Sequence, residues 1–91
     1  MDMPEKIESL LRAQLAASVV EIEDETRLHA GHVGAAGGGG HYRVVVVSDR
    51  FADLSLMQQH RLVYAALAGE MKTTIHALAL RTYTPEQWQR Q

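Results

Sequence analysis

Three of the chain's five histidines and six of its seven glycines fall within HAGHVGAAGGGGHY, residues 29–42. Imidazole is a borderline donor that suits zinc, copper, iron and nickel, which makes His29, His32 and His41 candidate ligands. A fourth, His76, stands near the start of an alternating run, TTIHALALRTY. If that run begins close to the glycine-rich stretch, His76 and one of the other three can meet at a single ion. A closed structural zinc site takes about four ligands, and consecutive glycines are a poor frame for one. Two histidines can instead replace two thiolates on one iron of a 2Fe–2S cluster. A chain without cysteine can therefore offer half of such a ligand set and leave the other half to a partner. The fifth histidine, His60, lies inside a helical run one turn before Tyr64 and reads as a packing residue.

Other chemistries fit less well. A phosphate-binding loop needs a lysine and a Ser or Thr opening a helix after its glycines. Here Gly40 runs into His41 and a strand, and no lysine occurs between Lys6 and Lys72. The serines Ser9, Ser18, Ser48 and Ser55 have no nucleophile-elbow setting. Alternation spreads the acids of EIEDE over both faces of a strand. No enzymatic activity is expected. The net charge of −2 gives no general surplus for neutralising phosphates, so any nucleic-acid contact must come from a local basic patch. No apolar run approaches the roughly 18 residues of a membrane span, and MDMPEKIESLL holds no apolar signal core. A cytoplasmic location is the expectation.

The positioning elements follow from periodicity. Pro4 opens a helix with Ile7, Leu10, Leu11 and Leu15 on one stripe. Val20 and Ile22 alternate with Glu21 and Glu23 in a strand with one buried face. HYRVVVVS is a second strand, and its four consecutive valines place it centrally in the sheet. Antiparallel pairing of these two is the simplest connection across a glycine-rich loop over residues 29–40. SDRFADLS is a turn anchored by Phe51. Ser55 and Gln58 have capping-box spacing ahead of a helix with Leu56, Met57, Val63, Tyr64 and Leu67, ending near Gly69. The third strand sets His76 on the same face as Leu78 and Leu80. Thr84 and Pro85 start a short last helix that pins Trp88 to the body. The result is one domain over residues 1–91: an α+β two-layer sandwich with a three-stranded mixed sheet and helices on one face.

Taken in order, EDETRLHAGH, HYRVVVVSDRF, QQHRLVYAAL, IHALAL and TPEQW resemble the BolA family from Ile7 to Trp88. The resemblance implies a fold similar to a type II KH domain, α-β-β-α-β-α. It also implies a monothiol glutaredoxin partner, with a 2Fe–2S cluster shared between the two in iron–sulfur cluster trafficking and iron homeostasis. In the family one cluster ligand is the histidine of the HAL motif, here His76. The second comes from the loop between the first two strands, where this chain has histidine rather than cysteine. His32 ranks first for that role, then His41 and His29. The glutaredoxin's cysteine and a bound glutathione supply the remaining two ligands. Some bacterial members are DNA-binding transcriptional regulators of stress response and cell morphology, which implies a KH-like DNA surface using Arg50, Arg61 and Lys72. The two-glycine KH signature loop is absent from the matching turn, SDRFADLS.

Overall fold

The computed structural model describes residues 1–26 and 40–91 of the chain, so His29, His32 and most of the glycine-rich stretch lie outside the described residues. Helix α1 spans Met3–Leu15. The Asp2 carboxylate caps it, accepting from the Glu5 N–H at 2.9 Å, which satisfies one of the donors a helix start leaves open. Ile7, Leu11 and Leu15 are its buried stripe, and Ala16 ends it in the left-handed region at φ 51°. Strand β1 spans Val19–Asp24 and β2 spans Gly40–Val47. They pair antiparallel, and β2 pairs parallel with β3, Ile75–Tyr83. The sheet order is β1-β2-β3, with the valine-rich strand in the middle.

Helix α2, Leu56–Ala66, carries the expected capping box of Ser55 and Gln58. The chain then breaks at Leu67 and resumes as a separate short helix, α3, Ala68–Thr73, rather than stopping near Gly69. Helix α4, Pro85–Gln89, starts from Thr84, whose side chain forms a second capping box with Gln87. The Trp88 ring packs on Tyr83 with centroids 5.3 Å apart.

One contiguous core lies between the sheet and α1 and α2. Tyr42, Val44 and Val46 of β2 meet Ile7, Leu11 and Leu15 of α1 and Val63 and Ala66 of α2, with Leu67 and Phe51 closing it. Each such aliphatic or aromatic side chain contributes about 1.5–3 kcal/mol on full burial. Of the apolar residues read from the sequence on this helix, Val63 and Leu67 are buried, but the others are not. Leu56, Met57 and Tyr64 are exposed, while Gln59, Val63 and Ala66 face inward. The cause is the buried Gln59 amide. It donates to the Leu54 carbonyl at 3.0 Å, and its oxygen accepts from the Thr82 hydroxyl at 2.6 Å. These bonds tie α2 to the preceding turn and to β3, so a polar residue takes a core position.

Candidate functional site

The site lies where β2 and β3 begin side by side. Along β2, Tyr42, Val44 and Val46 point to the helical layer, so alternation turns His41, Arg43 and Val45 to the opposite face of the sheet. In β3 the alternation is interrupted. Gly40 pairs with Ile75 but His41 pairs with Ala77, which leaves one extra residue on β3 between the two pairs. That residue is His76. The irregularity lets Ile75 and Leu78 both face the core, while His76 and Ala77 are exposed. His76 therefore does not share a face with Leu78 and Leu80, as regular alternation had suggested. A β-bulge re-aims the side chain toward the open face instead.

On that face the imidazoles of His41 and His76 lie with ring centroids 5.1 Å apart and planes inclined by 45°. His76 is exposed and His41 half-buried, with its Nε2 enclosed by protein. Two imidazoles bound to one tetrahedral ion by metal–nitrogen bonds of about 2.0–2.1 Å hold their centroids about 5 Å apart. The observed separation therefore fits a shared ion without strand movement. Coordination by His41 would use Nδ1 or require its ring to turn. Among the described residues, no group of three or more His, Cys, Asp or Glu side chains converges on one point. The pair is a two-donor set.

The surroundings are mixed in charge. A cavity of about 270 Å³ beside the pair is lined by Glu25, His41, Tyr42, Ala77, Leu78 and Ala79. Glu25 is largely covered and pairs with Arg43 at 3.3 Å. The Asp24 carboxyl is held below its usual range by hydrogen bonds from the Thr26 hydroxyl and backbone N–H. The Tyr42 phenol is pushed up, first by burial and then by the Asp24 charge, so it stays neutral and acts only through hydrogen bonding and packing.

The other sequence candidates lie elsewhere. His60 on α2 is half-buried, and its Nε2 is enclosed without a hydrogen bond to any of the described residues, in keeping with packing. Arg50 donates to the Gln14 carbonyl at 3.0 Å, near the C-terminal end of α1. Arg61 and Lys72 are exposed on α2 and α3. His29 and His32 fall outside the described residues. Sequence reasoning missed Thr26, Gly40 and Tyr42 at the site's edge, because threonine and glycine beside a glycine-rich stretch carry no distinctive signal.

Comparison with known proteins agrees with this fold. The family model for BolA-like protein matches residues 11–87. The Escherichia coli (strain K12) protein named DNA-binding transcriptional regulator BolA is 44% identical over 89 residues, covering 98% of this chain and 82% of that one. Two solved structures superpose closely, each 34% identical and matching 94% of this chain and 95% of the other. BolA1 from Arabidopsis thaliana gives a TM-score of 0.80. The BolA domain of SufE1 from the same plant gives 0.81.

Proposed function

The chain belongs to the BolA-like protein family, and from that membership we propose that it is a non-enzymatic cytoplasmic partner sharing a 2Fe–2S cluster with a monothiol glutaredoxin. The observation that carries this reading is the contact between His41 and His76, two imidazoles at 5.1 Å on one exposed sheet face. Neutral imidazoles replace thiolates on one iron of a 2Fe–2S cluster, and this cysteine-free chain has only nitrogen and oxygen donors to offer besides methionine sulfur. His76 supplies one ring. The second comes from His32, His41 or His29, of which His41 lies within the described residues and is in contact with His76. The glutaredoxin's cysteine and glutathione complete the set. The cluster is the cargo, and the chain acts in its trafficking and in iron homeostasis.

The chain's own residues bind and shape. The bulge presents His76 outward, the β2–β3 ladder fixes its spacing from His41, and the neighbouring cavity leaves room for a partner to approach. Likeness to the BolA domain of a protein named SufE1 is a further support. The test is to mix the purified chain with a cluster-loaded monothiol glutaredoxin and follow visible absorption and mass. A heterocomplex carrying one 2Fe–2S cluster, with an altered spectrum, is expected. An unaltered spectrum and two separate species would overturn the reading.

A second reading is DNA-binding transcriptional regulation of stress response and cell morphology, favoured by the name of the 44% identical Escherichia coli relative. Arg61 and Lys72 are exposed for such contacts, whereas Arg50 also serves the end of α1. The first turn of α2 presents Leu56 and Met57 rather than cations, which limits the phosphate contacts it can make. The reading requires salt-sensitive binding that weakens in Arg61→Glu and Lys72→Glu; unchanged affinity in both removes that surface.

A further inference from the structure

Thr26 and Gly40 flank positions 27–39, and both are held beside the histidine pair. The His41 N–H donates to the Thr26 hydroxyl oxygen at 3.1 Å, so a side chain rather than a carbonyl receives it. The Glu25 N–H donates to the His41 carbonyl at 2.8 Å. Thr26 is itself oriented, its N–H donating to Asp24 Oδ1 at 2.9 Å, and its hydroxyl also serves the Asp24 carboxylate. On the other side of His41, the Gly40 N–H donates to the Thr74 carbonyl at 2.9 Å. The Tyr42 ring folds back over Gly40 so closely that a Cβ there would overlap it. The start of β2 is thus held by Thr26, just past the end of β1, by Thr74, just before β3, and by the Tyr42 ring packed on Gly40.

We propose that Thr26 is a positioning residue for the histidine pair: its hydroxyl, aimed by Asp24, fixes the backbone of His41 and so sets the His41 imidazole against His76. The inference rests on the shared-cluster reading for its purpose, but its geometry belongs to the free protein. Thr26 touches neither ring as a ligand; it acts through the main chain of its neighbour. A hydroxyl is required because its oxygen accepts from the His41 N–H, and valine, of the same shape, offers no acceptor.

The test compares Thr26→Val with Thr26→Ser by NMR of the free chain and by titration with cluster-loaded monothiol glutaredoxin. In Thr26→Val the cross-relaxation between the His41 and His76 ring protons weakens and their shifts move, while amide signals of α1 and α2 stay in place. Affinity for the loaded partner falls about fivefold, as expected for one neutral hydrogen bond, and the visible circular dichroism of the shared cluster changes. Thr26→Ser restores all of these. Should Thr26→Val lose its fold, Asp24→Asn makes the same test by weakening the acceptor that orients Thr26. Unchanged ring contacts in the substituted chain overturn the inference whatever the cluster assay reads. A wild type that leaves the cluster spectrum untouched counts against the shared-cluster reading, while the ring contacts still decide the role of Thr26.

Discussion

His41 and His76 approach to 5.1 Å between ring centroids because β2 and β3 run parallel and β3 carries its extra residue at the point where the two strands begin. In a regular ladder, successive side chains alternate between faces, and Ile75 and Leu78 could not both be inward. The irregularity satisfies the core at both positions and leaves His76 on the outer face. Burial of Ile75, stabilising by about 1.5–3 kcal/mol, together with the partial burial of Leu78, thereby leaves His76 exposed.

Gly40 is required for space rather than for conformational freedom, since its Cβ would overlap the Tyr42 ring. Gly40→Ala is expected to destabilise by about 1–3 kcal/mol, the range for overpacking. Gly69 in α3 is the control, because a Cβ there meets nothing within 4 Å. Gly69→Ala should be neutral or up to about 1 kcal/mol stabilising. Urea unfolding of both variants checks the contrast, and equal effects would contradict it.

Gln59 should be more sensitive than its polar character suggests. Replacing it by Leu leaves the Thr82 hydroxyl without its acceptor and the Leu54 carbonyl without its donor. The loss is expected to be about 1–3 kcal/mol. Adding Thr82→Val removes one stranded group, so the double variant should lose less than the sum of the two singles. A double-mutant cycle by chemical denaturation reads this coupling, and strict additivity would dismiss it.

Two groups near the site give opposite pH signatures. Asp24 has its folded pKa lowered from 3.8 by the Thr26 hydrogen bonds, so its stabilisation is present above that value and is lost as pH falls through the folded pKa. Tyr42 has its folded pKa raised from 10.0 by burial and by Asp24. Its contribution is present below 10.0 and is lost as pH rises through the folded pKa. Tyr42→Phe should therefore flatten the alkaline limb of the stability curve above about pH 10 and leave the acid limb in place. Melting temperature against pH for the two chains measures it.

Much of the fold was legible in the sequence because it depends on short-range signals. The capping box at Ser55, the helix start at Thr84 and Pro85, the alternation of Val20 and Ile22, and the valine run of β2 all read correctly. The inward place of Gln59 in α2 did not, since hydrophobicity alone favours Met57, and only the positions of Leu54 and Thr82 make a buried amide favourable. Nor did the face of His76, because alternation assumes an uninterrupted ladder and nothing in IHALAL marks the extra residue. The histidines themselves were visible at once. Which of them meet is a matter of strand register, and for His29 and His32 it lies outside the described residues.

The central claim is that His76 is a cluster ligand, and visible absorption of the chain mixed with a cluster-loaded monothiol glutaredoxin tests it most directly. The account predicts that the wild type and His60→Ala alter the spectrum alike, while His76→Ala leaves it as the glutaredoxin alone gives it. A His76→Ala chain that still produces the wild-type spectrum would contradict the account.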